Sequence, residues 1–299
     1  MPEEKMANVQ STHIVIVNYN AGDWLQRSIS SALRFSTGQI TVVDNDSTDG
    51  SLEIAQASFS DARINWQANT QNVGFAAANN QVIKTNDAEF LVLMNPDCEL
   101  EENTLVELIA AFREHSQMGL ASCRILNSDG SLQATSRRRF PTPWSAMVRM
   151  LQLHQVMPNN PRFASFDYGD RVDNTLGIEF VEAISGAFMV ARKSAADQVG
   201  LLDEGYFMHC EDLDWCMRFS HSGWKVGFLP NVAVTHAKGV SSRSRPIAVL
   251  FTLHKGMDRF FDKFYKNDYP WLLRMVVKLG IAVSFIGRAG ISLLKGLAR

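Results

Sequence analysis

Short apolar runs alternate with stretches of helical spacing along the first hundred residues. His13-Ile-Val-Ile-Val17 is rich in β-branched side chains, Ile40-Thr-Val-Val43 follows it, and Phe90-Leu-Val-Leu-Met94 is apolar throughout. Between the first two, Trp24, Leu25, Ile29 and Leu33 recur at helical intervals, and residues 51–59 and 76–84 also read as helices. Strands that are apolar on both faces, alternating with helices, predict a mostly parallel central sheet flanked by helices, a Rossmann-like α/β fold. Each run ends in polar residues: Asn18-Tyr19-Asn20, Asp44-Asn45-Asp46 and Asn95-Pro96-Asp97. Open α/β sheets bind ligands outside the carboxyl ends of their strands, so the pattern alone locates a candidate site.

Farther along, Pro141, Pro143, Pro158 and Pro161 interrupt residues 141–173, which read as an irregular insertion. Apolar runs resume at residues 180–184, 188–190, 224–229 and 232–234. Past residues 241–246 the chain turns helical, basic and apolar. The expected organisation is a loose tail (1–11), an α/β domain (12–245) and a C-terminal helical segment (246–299).

Composition narrows the classes. The 299 residues are 46% apolar and 20% charged, which excludes global disorder. With 29 Lys and Arg against 31 Asp and Glu, the net charge of −2 argues against nucleic acid as a partner. Four cysteines (Cys98, Cys123, Cys210, Cys216) lack zinc-site spacing and the density of a disulfide scaffold. The first eleven residues carry no apolar stretch of a signal peptide, and a cytoplasmic location is expected.

Three acidic groups carry candidate chemistry. Asp97 sits just past a buried strand, where a carboxylate either holds a divalent cation on a diphosphate or caps the next helix. Glu211, Asp212 and Asp214 lie within four residues; they either suit a helix N-terminus or include a general base. Asp44, in Asp44-Asn-Asp-Ser-Thr-Asp-Gly50, either reads a base or ribose edge or belongs to a capping loop.

The ordered set is more specific than its members. Ile14-Val-Ile-Val-Asn-Tyr-Asn20, Val42-Val-Asp-Asn-Asp46, Asn72-Val-Gly-Phe-Ala76, Leu93-Met-Asn-Pro-Asp97, Ser185-Gly-Ala187, Leu202-Asp-Glu-Gly-Tyr-Phe-Met208, Glu211-Asp212-Leu213-Asp214, Gly223-Trp224 and His236 follow one another over residues 14–242. This series resembles the inverting glycosyltransferases of family 2, which have the GT-A fold, and within them the rhamnosyltransferase-like branch that builds bacterial cell-surface polysaccharides. The resemblance implies that Asp44 bonds the pyrimidine base and that Asn18 and Asn72 line the nucleotide. It further implies that Asn95 and Asp97 form the metal-binding motif for Mg²⁺ or Mn²⁺, with Asn in the first place, and that His236 completes the metal shell. Asp212 matches the catalytic base, with Glu211 and Asp214 flanking it to orient acceptor or loop. The stretch Val181-Glu-Ala-Ile184 departs from the Asp-Trp common there.

The implied donor is a nucleoside diphosphate sugar, dTDP-rhamnose first and another UDP or dTDP hexose as the alternative. The implied acceptor is a lipid-linked or polysaccharide glycan. A nucleotidyltransferase would call for a Gly-rich basic loop after the first strand, which Asn18-Tyr19-Asn20-Ala21-Gly22 does not supply. A non-catalytic nucleotide-sugar-binding protein of the same fold is the other alternative. Arg137-Arg-Arg139 reads as a solvated charge run or a contact for acceptor phosphate.

In residues 271–299, Arg274, Lys278, Arg288, Lys295 and Arg299 are the only charged side chains. They fall within an arc of about 100° on a helix. The longest uncharged stretch, residues 279–287, is short of the ~20 residues needed to cross a bilayer. The expected partner is an anionic membrane surface met by this basic arc, on the inner face of the cell membrane; a helix packed on the body or in an oligomer is the alternative.

Overall fold

The computed structural model describes residues 11–157, 160–163, 177–237 and 246–297. In chain order the elements are β1 (Thr12–Asn18), α1 (Asp23–Phe35), β2 (Gln39–Asp44), α2 (Ser51–Ser58), β3 (Ile64–Ala68), α3 (Phe75–Ile83), β4 (Phe90–Met94) and β5 (Cys98–Leu100). Then come α4 (Thr104–Glu114), β6 (Met118–Leu126), β7 (Arg137–Arg138), α5 (Pro143–Met150), α6 (Leu153–Val156), β8 (Glu179–Val181), β9 (Ala183–Ile184) and β10 (Phe188–Arg192). The last are α7 (Lys193–Val199), α8 (Glu211–His221), β11 (Lys225–His236), α9 (Pro246–Phe264) and α10 (Trp271–Leu297).

The main sheet runs β3-β2-β1-β4-β10-β6-β11-β5, with β8 paired to β11. Strands β1 to β4 are mutually parallel, β10 is antiparallel to both neighbours, and β11 is parallel to β6. One face packs under α1 and α4 through Ile29, Leu105 and Phe112. The other packs under α3, α8 and α9 through Val82, Trp215, Phe219 and Phe260. Strand order reverses direction at β1, so the crevice between β1 and β4 is the topological switch point where such sheets bind ligands.

Of the strands that escape the apolar pattern, two are informative. β3 is an edge strand, Ile64-Asn-Trp-Gln-Ala68, and its polar positions break the run. β6 is central and almost wholly buried, yet reads Met-Gly-Leu-Ala-Ser-Cys, small residues rather than β-branched ones. A reason is visible at Gly119, where a Cβ would lie 2.6 Å from the Phe219 ring of α8. The run at 180–184 splits between two sheets, and those at 224–229 and 232–234 join in β11 across a register shift near Pro230. Pro143, expected as an interruption, instead opens α5 behind a Thr142–Ser145 capping box. Residues 158, 159 and 164–173 of that insertion, like residues 1–10 and 238–245, lie outside the described residues.

The C-terminal helix also differs from expectation. Helix α10 runs 27 residues, and Trp271–Leu294 is long and apolar enough to cross a membrane by length and composition. The uncharged-stretch criterion missed this because isolated Lys278 and Arg288 divide the stretch without making it polar. Of the basic arc, Arg288 is exposed, while Lys278 and Arg274 are engaged by the chain itself. Lys278 pairs with Asp258 at 3.0 Å and Asp262 at 2.6 Å, both on α9, and Arg274 donates to the Lys266 carbonyl at 3.4 Å.

Candidate active site

The carboxyl ends of β1 and β2 are locked by side chains. Asn18, fully buried, donates to Asp44 Oδ1 at 2.7 Å and to Ser51 Oγ at 2.9 Å. The Ser47 amide donates to Asp44 Oδ2 at 2.9 Å, so the carboxylate is held in place and charged bonds satisfy both oxygens. Asn18 Oδ1 is a buried acceptor with no partner within the protein. Asn20 and Asp46 take left-handed backbone conformations that bend the two loops toward each other.

The next loop joins through Asn45, whose amide donates to the Gly74 carbonyl at 3.2 Å. Asn72 accepts from the Gly74 amide at 3.0 Å, and Gly74 lies so close to the Phe207 carbonyl that a Cβ would approach it to 2.5 Å. The Phe75 amide donates to that same carbonyl at 2.9 Å. Asn72 is therefore tied to residues 203–210, the segment leading into α8.

That segment ends in two consecutive left-handed residues, His209 and Cys210, which turn the chain into Glu211 and Asp212. Asp212 Oδ2 accepts from the Gly186 amide at 2.9 Å and from the Arg138 guanidinium, which also donates to the Ile184 carbonyl at 2.9 Å. Burial and the neighbouring Asp212 push Glu211 up to about 8. Asp214 is fully buried between Arg218 at 2.6 Å and Lys263 at 2.6 Å, and so holds protein rather than ligand. Burial pushes the His209 imidazole below its ordinary value. All four cysteines are buried thiols, and burial pushes Cys216 up to about 12, which leaves no thiolate nucleophile there.

Gly186 and its neighbour join the acidic helix to the end of β4. While the Gly186 amide holds Asp212, the Ala187 carbonyl accepts from the Asn95 amide at 2.9 Å. Pairing of β5 with β11 sets Cys98 opposite His236, which brings His236 Nε2 to 3.1 Å from Asp97 Oδ1 and 3.5 Å from Asn95 Nδ2. Gln133 Nε2 donates to the His236 carbonyl at 2.9 Å, which turns its Oε1 toward His236 Nδ1 at 3.2 Å. This amide orientation assigns the imidazole proton to Nδ1 and leaves Nε2 as a lone pair beside Asp97. Two such acceptors repel unless a proton or a cation lies with them, so Asp97, His236 and the Asn95 side chain fit a divalent ion whose remaining positions a diphosphate would fill.

The structure thus brings Asn18 to Asp44, Asn95 to Asp97 and His236, and links each group to Asp212 through one connected set of loops. Gln133 and Arg138 were not singled out as site residues. Gln133 offers no pattern in sequence, since it reaches His236 only across β6 and β11. Arg138 carried a signal in the Arg137-Arg-Arg139 run, but two of its members are neither solvated nor free for a phosphate: Arg137 pairs with Glu179 and Arg138 with Asp212, while Arg139 is exposed.

Comparisons with known proteins agree with this geometry. The model of glycosyl transferase family 2 matches residues 13–197. An N-acetylglucosaminyl-diphospho-decaprenol L-rhamnosyltransferase of Mycobacterium tuberculosis is 27% identical over 282 residues, covering 87% of this chain and 88% of that protein. The rhamnosyltransferase WbbL of Escherichia coli is 24% identical over 240 residues, covering 78% and 85%. Among solved structures, the mannosyltransferase PcManGT of Pyrobaculum calidifontis, in complex with GDP-Man and Mn²⁺, superposes with a TM-score of 0.58 at 14% identity over 96% of this chain and 79% of its own. GalNAc-T7 with UDP, GalNAc and Mn²⁺ gives 0.57 at 16% identity, covering 77% of this chain and 44% of that longer one. These two likenesses are of fold, the GT-A fold.

Proposed function

The chain belongs to glycosyl transferase family 2, in its rhamnosyltransferase-like branch, and from that premise we propose that it moves rhamnose from dTDP-rhamnose onto a lipid-linked or polysaccharide acceptor with inversion. The product enters cell-surface polysaccharide synthesis. The enzyme works on the inner face of the cell membrane, which residues 271–299 meet, with residues 12–245 as the transferase domain.

In this reading the nucleotide lies over the ends of β1 and β2. Asp44, fixed by Asn18 and Ser47, accepts from the pyrimidine ring, and the buried Asn18 Oδ1 and the Asn72 loop line the same groove. Asp97, His236 and Asn95 would hold Mg²⁺ or Mn²⁺, which supplies positive charge for the diphosphate as it departs. Gln133 fixes the imidazole so that Nε2 is the ligand.

Asp212 takes the proton of the acceptor hydroxyl. That oxygen bonds the anomeric carbon from the face opposite the diphosphate, the bond to the diphosphate oxygen breaks, and configuration inverts. Arg138 and the Gly186 amide orient Asp212, while Glu211 and Asp214 shape the start of its helix. The observation that carries this reading is the Gly186–Ala187 step, which ties the proton acceptor to the Asn95–Asp97 motif through two successive backbone bonds.

A panel of nucleotide sugars tests it, read as release of nucleoside diphosphate in the presence of a lipid-linked glycan acceptor. We expect dTDP-rhamnose to be turned over fastest. Preference for a UDP-hexose replaces the donor, and binding without turnover of any sugar overturns the enzyme reading.

A further inference from the structure

Helix α10 is built inside out relative to the rest of the protein. On the side facing α9 it carries Lys278, paired with Asp258 and Asp262, and Ser284, whose hydroxyl meets His254 Nε2 at 3.2 Å. Phe285 sits on the same side, against Phe251 and His254 with ring centroids 6.0 and 5.6 Å away. The opposite side carries Leu272, Met275, Leu279, Val283, Ile286 and Leu294, each more than half exposed. No charged residue shares that outer arc, and none of the 24-residue apolar stretch is buried. A soluble helix arranges its residues the other way round, with the apolar stripe inward.

We propose that the outer face of α10 seats in the hydrocarbon of a lipid bilayer, and that apolar immersion rather than attraction to anionic headgroups holds it there. The proposal deepens the reading of a membrane-borne acceptor given above and rests on it for its biological sense. Three observations single out lipid as the occupant. The cation at the middle of the helix is spent internally, since Lys278 is already neutralised by two carboxylates, and exposed Arg288 lies off the outer arc. The outer face is uncharged along its whole length, which complements hydrocarbon and not a polar protein surface. At 1.5 Å per residue the 24 residues extend about 36 Å, too long an uninterrupted face for a single contact point.

The helix lies along the membrane and does not cross it. Helix α9 occupies its inner side from Lys278 to Phe285, and crossing would carry the half-exposed Asp258 and Asp262 into the hydrocarbon. Helix α9 also fixes the height of the site above the bilayer. Its Arg259 and Lys263 both bond Asp203, and Lys263 reaches Asp214. Gly256 presses on the His209 carbonyl, where a Cβ would come to 2.9 Å. One helix thus carries the membrane face on one side and holds residues 203–214 on the other.

Flotation of the full chain with vesicles tests the proposal without any substrate, so its outcome is separate from that of the transfer assay. We expect the chain to float with neutral phosphatidylcholine vesicles, with a bound fraction that changes less than about twofold between 0.1 and 1 M salt, a range that collapses surface electrostatics. The combined variant Leu279→Glu, Val283→Glu, Ile286→Glu should lose binding at least tenfold while keeping its far-UV circular dichroism and its turnover of a soluble acceptor. Binding that requires anionic lipid and vanishes at high salt overturns the proposal in favour of basic attraction. A wild-type dimer that ignores vesicles and becomes monomeric in the triple variant overturns it in favour of a second copy as the occupant.

Discussion

The sheet domain and the C-terminal hairpin use the same residue types with opposite orientation. In the domain, Leu93 and Trp215 are fully buried, and the polar groups at the strand ends bond one another. In the hairpin, Leu279 and Ile286 point outward at 65% and 68% exposure, while Lys278 turns in to Asp258 and Asp262. In the account proposed above, water organises the first and lipid the second, and the boundary between them runs through α9. The chemistry is thereby confined to one region and the address to the other, so that each can be broken alone.

The largest effect is expected at the site. Asp212→Asn keeps the shape and the bonds to Arg138 and Gly186 but cannot accept a proton, and kcat should fall by about 10²–10⁴, or about 3–5 kcal/mol of barrier. Binding of dTDP, read by calorimetry, should survive, as should vesicle binding. Near-normal turnover in Asp212→Asn together with its loss in Glu211→Gln would reassign the base to the neighbouring carboxyl.

Truncation of apolar side chains separates the two regions by stability. Leu93→Ala, with the parent side chain fully buried, should cost about 2–5 kcal/mol in chemical denaturation. Leu279→Ala, at 65% exposure in the absence of lipid, should change stability by less than about 0.5 kcal/mol. Equal costs would mean that α10 is buried by protein.

A buried acid gives a pH-dependent contrast. Glu211 rises from an ordinary 4.5 to about 8 in the folded chain. Between those values the unfolded chain releases a proton that the folded chain keeps, so this contribution is fully present below 4.5 and is lost as pH rises through 8. Glu211→Gln should therefore raise Tm at pH 8 and leave it unchanged at pH 4. A difference of the same size at both pH values would show that packing, not ionisation, sets it.

The last of these effects concerns the joint. Partial burial would raise Asp203, but bonds from Lys263 and Arg259 hold it at about 2. Lys263→Met removes one cation from Asp203 and from buried Asp214, with Arg218 still in place on the latter. A loss of about 1–2 kcal/mol is expected. It should appear first as faster amide exchange in residues 203–210, and unchanged exchange there would show that α9 does not hold the loop.

What could be read from sequence follows from which forces act locally. Runs such as 90–94 announce strands because both faces are buried, and the polar residues after them stand at strand ends for the same reason. β6 stayed hidden because Gly119 and its small neighbours make room for Phe219, a requirement set by a helix a hundred residues away. The neighbours of the acidic groups were harder still. Arg138 stands 74 residues from Asp212, and Gln133 stands 103 from His236. In the C-terminal segment the helical wheel placed Lys278 on the basic arc but could not show that it pairs inward, because that depends on Asp258 and Asp262 in the preceding helix.

The central claim is that Asp97, His236 and Asn95 form the diphosphate end of a sugar-transfer site. It is tested most directly by the release of dTDP from dTDP-rhamnose, with an acceptor present, before and after addition of excess EDTA. Turnover should stop with the chelator, return with Mn²⁺ or Mg²⁺, and fail to return in Asp97→Ala. Full activity in excess EDTA would contradict the account.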